Sequence, residues 1–166
     1  MNLLVANFDC QNIIRPNQVV EAVKVLPIKH VNGIQVIRYD PTRAIATTLS
    51  YMGTQAPIVS SQGLFFHDRE TSVIVLFQFD TAASFYHVLY HEIGHYVFLK
   101  CLDQKKRDLW MYGVRSLERT YVTSYARQNS REDFAESYAF YCTRNTGLLE
   151  CPLRYAFLAN HVFAAA

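Results

Sequence analysis

The sequence carries no long uncharged hydrophobic run, no basic tract and no paired-cysteine motif, and each absence removes a class of protein. A membrane-spanning helix needs about 18 or more consecutive apolar residues. The best candidate, Ala82 to Leu99, is interrupted by His87, His91, Glu92 and His95. The opening MNLLVANFDC lacks a positive n-region, and Asn7 and Asp9 break its apolar stretch, so it does not read as a secretory signal. The expectation is a soluble protein made and kept in a cytoplasm, with delivery by a signal-independent route left open. Net charge is only +2, and the sole basic run is Lys105-Lys106-Arg107, which suits a solvated helix end. Neither nucleic acid nor a membrane is an expected partner. Cys10, Cys101, Cys142 and Cys151 form no C-x-x-C pair and no metal-ligand spacing. They read as reduced, mostly buried thiols, with a Cys142–Cys151 bridge as the alternative in an exported chain. No internal repeat or low-complexity linker is present.

What is there fits one folded domain. The 166 residues are 51% hydrophobic and 18% charged, within the globular range. A domain of this size buries about 70% of its unfolded surface and needs no disulfides. Residues 1–163 are expected to form that domain, and Ala164-Ala165-Ala166 reads as a cloning scar or tail. Asn17 is placed to cap a helix over Gln18 to Leu26, stopped by Pro27. Ile34 to Tyr39 alternates as a strand after the turn Asn32-Gly33. Pro41 can open a helix through Leu49, and Gly53 to Gly63 is loop-like. Leu64 to His67 and Ser72 to Phe79 form a hairpin across Asp68-Arg69-Glu70-Thr71. The continuous apolar run from Val73 to Phe77 predicts a strand covered on both faces, with the Leu64 strand at an exposed edge. Asp80 then caps a helix through about Leu102, and Asp103 to Gly113 continues it or turns separately. Gly113 to Asn129 reads as loop. Ser130 begins a helix with Asp133 completing a capping box, ended by Gly147. Pro152 opens a last helix, Leu153 to Phe163. Strands followed by helices argue for an α+β fold.

The chemistry is concentrated in His91-Glu92-Ile93-Gly94-His95. Histidines four apart on a helix lie about 6 Å apart on one face. Two imidazoles so spaced can share a zinc ion at about 2.0–2.1 Å each. Glu92 stands beside that position, where a carboxylate can take a proton from a water whose pKa zinc lowers to about 7. A purely structural histidine pair has no need of the intervening glutamate. H-E-x-x-H within an amphipathic helix, directly after an apolar strand, is the expected context.

A catalytic zinc needs a third protein ligand and an open position. His87 lies one turn before His91, but histidines at i, i+4 and i+8 span two turns, so His87 and His95 cannot both reach one ion centred between His91 and His95. His87 reads as a supporting or surface residue. The better source is Glu132-Asp133-Phe134-Ala135-Glu136. Glu132 and Glu136 share a helix face, and one can ligate while the other accepts the N–H of a ligating histidine. Glu132 is favoured as ligand, with Glu136 the alternative. An oxyanion formed on a peptide carbonyl gains from an aimed donor. Tyr125, Tyr121, Tyr112 and Tyr138 are the candidates.

The stretch Thr123-Ser124-Tyr125-Ala126-Arg127-Gln128-Asn129-Ser130-Arg131-Glu132-Asp133-Phe134-Ala135-Glu136 resembles the corresponding segment of the anthrax-toxin lethal-factor catalytic domain and of the Pro-Pro endopeptidases. These pair H-E-h-G-H with a downstream T-S-Y-x-R-x-N-x-x-E-x-F-A-E. The likeness covers the zinc helix and this segment, about a quarter of the chain. It implies a zincin-like metallopeptidase fold, with a small mixed sheet and an active-site helix bearing HEIGH. By position it implies one Zn2+ per chain on His91, His95 and Glu132, Glu92 as general base, Tyr125 as oxyanion donor and Glu136 as buttress of a ligating histidine. It also implies a substrate lying along an edge strand, here Gly63, Leu64, Phe65, Phe66 and His67. The expected activity is a zinc-dependent endopeptidase acting on a protein or extended peptide. Two alternatives remain. One is a small metallopeptidase of the phage-repressor-cleaving class, which would leave Tyr125 and the Thr-Ser-Tyr run unexplained. The other is a zinc-retaining, non-catalytic zincin-like binding module, which would have no use for Glu92. The substrate itself, the cleavage preference and the oligomeric state are not legible.

Overall fold

Apolar residues alternate with polar ones from Ile34 to Tyr39, and this segment is a strand in the computed structural model, which describes residues 3–44, 61–68 and 71–164. The described residues form an α+β fold with one four-stranded mixed sheet and several helices. The strands are β1 (Leu4–Ala6), β2 (Ile34–Tyr39), β3 (Gly63–Asp68) and β4 (Thr71–Leu76), in the order β1-β2-β4-β3. The β1–β2 and β2–β4 pairs are parallel, and β3 pairs antiparallel with β4. β4 is buried along Ser72 to Leu76, as its apolar run requires, and β3 lies at an edge. The second edge is held by β1, too short for its pattern to announce it. β4 ends at Leu76 rather than Phe79, because the Phe77 and Gln78 amides both donate to Gln62 O, at 2.8 and 3.2 Å.

The chain divides into two compact units, Met1–Glu92 and Ile93–Ala166, with the boundary inside a helix. In the first unit, α1 (Pro16–Lys24) begins two residues earlier and ends two residues earlier than its sequence suggests, with Arg15 rather than Asn17 at the cap position. Pro16 occupies the first helical position, where a missing N–H costs nothing, and Gln18 Oε1 accepts from the Arg15 amide at 2.9 Å. Phe8, Tyr39, Phe79 and Phe85 form an aromatic cluster with ring centroids 5.0–6.5 Å apart. On the opposite side of β4, Val73, Val75 and Phe77 gather Val36, Leu64 and Phe66. The helix expected from Pro41 to Leu49 and the loop from Gly53 to Gly63 lie mostly outside the described residues.

Helix α2 (Ala82–Tyr96) is capped by Thr81, not Asp80: Thr81 Oγ1 accepts from the Ser84 amide at 3.1 Å while Ser84 Oγ accepts from the Thr81 amide at 3.0 Å. The reciprocal pair satisfies two of the donors that a helix start leaves over. Its last turn, Val97–Cys101, widens to π-helical geometry. Asp103 then starts a separate helix, accepting from the Lys106 amide at 2.8 Å. This is α3 (Gln104–Asp108), which runs on through Leu109–Val114 to Leu117, so the expected loop from Gly113 begins later.

Helix α4 (Ser130–Cys142) is capped by Asn129, whose Oδ1 accepts from the Arg131 and Glu132 amides at 2.9 and 3.0 Å. Asp133 is therefore not part of a capping box. It turns inward, fully buried, against Arg154. Arg154 Nε and Nη2 donate to the two Asp133 carboxylate oxygens at 2.8 and 2.9 Å, and Nη1 donates to Glu118 Oε2 at 2.8 Å. Burial alone would lower the Arg154 pKa, but the bonds and charges of Asp133 and Glu118 hold it above its ordinary value. Glu118 also accepts from the Leu153 and Arg154 amides, at 3.0 and 3.1 Å, and so caps α5 (Pro152–Phe157), which continues through Leu158–Val162. Trp110 is the hub of this unit's core. Its rings stand 5.1 Å from both Phe134 and Phe157, and its Nε1 donates to Ser130 O at 3.0 Å.

Gly147 does not end α4. The helix stops at Cys142, with Arg144 in the left-handed region at φ 54°. The Asn145 amide donates to Phe140 O at 2.9 Å and the Arg144 amide to Tyr141 O at 3.2 Å, a Schellman closure with arginine where glycine is usual. All four cysteines are free thiols, but only Cys151 is buried and Cys10 is exposed, which corrects the expectation of mostly buried thiols. Among the described residues no helix is long and apolar enough to cross a membrane.

Candidate metal centre

His91, Glu92 and His95 ride on the single helix α2. His91 and Glu92 are buried, 8% and 5% exposed, and the side chain of His95 is 19% exposed. A helix start and a helix contact bring Glu132 to His95. The Asn129 cap fixes the start of α4, so that Glu132 lies in its first turn and Glu136 one turn later. Gly94 then sets the spacing of α2 and α4. A Cβ at Gly94 would lie 2.9 Å from Ala135 Cα and 3.2 Å from Tyr138 Cβ. The two backbones meet this closely only because residue 94 has no side chain and residue 135 has a small one. A helix-interior glycine costs about 1 kcal/mol relative to alanine, and here that cost permits the close approach.

The outcome is a separation of 3.3 Å between His95 Nε2 and Glu132 Oε2. Two ligands bonded to one tetrahedral zinc at about 2.0–2.1 Å stand about 3.3–3.4 Å apart, the edge of the tetrahedron. A plain histidine–carboxylate contact would have a similar length, so the third donor matters. Donor atoms of His91, His95 and Glu132 all lie within 4.8 Å of one another. Two imidazoles and a carboxylate are also a donor set that suits zinc. These residues fit the ion.

A second group within the same limit comprises His87, His91 and Glu136. Neither group contains both His87 and His95, as the two-turn argument requires. Glu136 is 5% exposed, and its Oε2 accepts a 2.8 Å hydrogen bond from Thr123 Oγ1. The same hydroxyl accepts from the Ala126 amide at 3.1 Å. Thr123 thereby ties Glu136 to the 3₁₀ turn Tyr125–Arg127, on which Tyr125 sits 40% exposed. The sequence reading named Tyr125 and Glu136 but not the threonine that joins their segments. Thr123 stood in plain view within the Thr-Ser-Tyr run. Tyr138, a rival to Tyr125, is fully buried and stacks on Phe134 and Phe163. Tyr121 lies under the guanidinium groups of Arg115, Arg127 and Arg154.

The edge strand divides by face. Leu64 and Phe66 pack into the cluster around Val75 and so turn from α2. Strand alternation puts Gly63, Phe65 and His67 on the other face, and a Cβ direction at Gly63 points at Glu92 and Val88. His67 Nδ1 lies 3.1 Å from Ser72 Oγ on that same face. Of the five strand residues named from the sequence, Leu64 and Phe66 thus serve the core with their side chains. No family model and no curated protein matches the chain.

Proposed function

We propose that this protein is a zinc-dependent endopeptidase of zincin-like fold, related to the lethal-factor-like metallopeptidases, that hydrolyses peptide bonds in a protein or extended peptide. The observation that carries the reading is the 3.3 Å approach of Glu132 Oε2 to His95 Nε2 beside His91, with Glu92 on the same helix. His91, His95 and Glu132 would hold the metal.

When bound, Zn2+ supplies Lewis-acid polarisation of a carbonyl and lowers the pKa of a water from 15.7 to about 7. Glu92 would accept the proton of the attacking water as that water's oxygen adds to the scissile carbonyl carbon. The same carboxyl then returns the proton to the departing amine as the C–N bond breaks, so acid and base work are done by one group. The Tyr125 hydroxyl donates to the carbonyl oxygen as it gains charge. Glu136 accepts from a ligating imidazole, which orients the ring and raises its basicity. As the last strand in the order of the described sheet, β3 can offer backbone donors and acceptors to an extended peptide. Because Glu92 faces the start of that strand, a chain lying along β3 passes the base.

Elemental analysis together with cleavage of an unfolded protein tests this. Close to one zinc per chain and cleavage that is lost to a chelator and restored by zinc are expected. A fully loaded protein that leaves every substrate intact would favour the binding-module reading.

A further inference from the structure

The first residue of β3 is a glycine facing the buried carboxylate of Glu92. A Cβ built there would lie 2.7 Å from Glu92 Oε1, 2.9 Å from Glu92 Cγ and 3.0 Å from Val88 Cγ1. Contacts between carbon and these atoms ordinarily start well above 3 Å, since pairs of carbons are optimal at about 3.5–4.0 Å. Both the head and the stem of Glu92 occupy the space that any side chain at position 63 would take. Gly63 is fixed by its register with Leu76 in the β3–β4 ladder, and Glu92 is 5% exposed on the inner face of α2.

We infer that Gly63 is a positioning residue: its bare backbone forms the wall against which the Glu92 carboxylate is held, and its lack of a side chain lets the base lie beside the start of the edge strand. The inference concerns the same site as the proposed peptidase and rests on that reading only for its consequence in catalysis. The strand that would receive substrate and the group that would move the proton are in direct contact. A displacement of the strand therefore moves the base, and one of about 1 Å can cost about 10²-fold in rate.

The sign of one substitution separates this from ordinary packing. An alanine that fits without strain in place of glycine stabilises a protein, because the unfolded chain loses freedom. Gly63→Ala is expected to lower the denaturant midpoint of the metal-free full chain instead. In a Glu92→Ala background the same change should lower it by less than half as much, because the atoms it meets are gone. Val88→Ala is the control, and it should relieve little of the loss. In the zinc-loaded protein, Gly63→Ala should lower kcat about 100-fold with KM within about threefold and zinc content unchanged. Should Gly63→Ala fail to fold, recovery of folding in Gly63→Ala/Glu92→Ala supports the contact, and failure of that double variant overturns it. An unchanged or raised midpoint for Gly63→Ala also overturns it, as does relief by Val88→Ala in place of Glu92→Ala. The stability cycle needs no activity. A coupled cycle in a protein that cleaves nothing would sink the peptidase reading and leave the Gly63–Glu92 contact standing.

Discussion

Thr123 Oγ1 donates to Glu136 Oε2 at 2.8 Å and, through the same oxygen, accepts from the Ala126 amide at 3.1 Å. One hydroxyl thus joins a buried carboxylate of α4 to the turn that carries Tyr125. Glu136→Ala is expected to weaken zinc binding by roughly 10–100-fold while keeping the metal site. Thr123→Val, which removes only one partner of Glu136, should weaken it by about 10-fold at most, and Thr123→Ser should restore it. Competition titrations against a chromophoric chelator measure all three. Equal affinity for Thr123→Val and the parent would mean that the hydroxyl serves the turn alone.

If Glu132 is the third donor, as proposed, its loss leaves the two imidazoles of His91 and His95 under-ligated. Glu132→Ala should emerge from dialysis with well under one zinc per chain, whereas Glu136→Ala retains it. Elemental analysis reads both. Full occupancy in Glu132→Ala, with loss in Glu136→Ala, would exchange the two roles and make the group of His87, His91 and Glu136 the metal site.

Much of this arrangement was legible because it rests on local pattern. The period of Ile34 to Tyr39, the apolar run of β4, the hairpin to β3 and the spacing of His91 and His95 need no knowledge of distant residues. What was missed depends on who reaches a group first. Asp133 has the right type and spacing for a cap, but Asn129 already occupies the orphan amides, and a buried Arg154 from α5 claims the carboxylate. Thr81 displaced Asp80 in the same way. The significance of Gly63 and Gly94 lies in what a Cβ would strike, which no one-dimensional pattern states.

Tyr125 opens a 3₁₀ turn and is 40% exposed. Tyr125→Phe should keep its zinc and its fold. If the phenol stabilises charge that develops only in the transition state, kcat should fall by about 10²–10³, roughly 3–4 kcal/mol, with KM little changed. Turnover near that of the parent in a metal-loaded variant would confine Tyr125 to packing.

Arg144 closes α4 at φ 54°, a region that costs an L-residue about 1–2 kcal/mol. Glycine avoids that cost but loses more freedom on folding, by about 0.5–1 kcal/mol. Arg144→Gly should therefore stabilise the chain by about 0.5–1 kcal/mol, without effect on zinc content. Denaturant unfolding checks it. Destabilisation would mean that the arginine side chain contributes more than its backbone costs.

Under the proposed function Glu92, held beside a zinc on His91, His95 and Glu132, moves the proton in peptide hydrolysis. A degenerate peptide library read by mass spectrometry, incubated with the parent and with Glu92→Ala at matched zinc content, tests it directly. Internal cleavage by the parent at a definable sequence preference is expected, with a loss of at least about 10²-fold in Glu92→Ala. Cleavage by Glu92→Ala at the parent's rate, or none by a fully zinc-loaded parent, would contradict it.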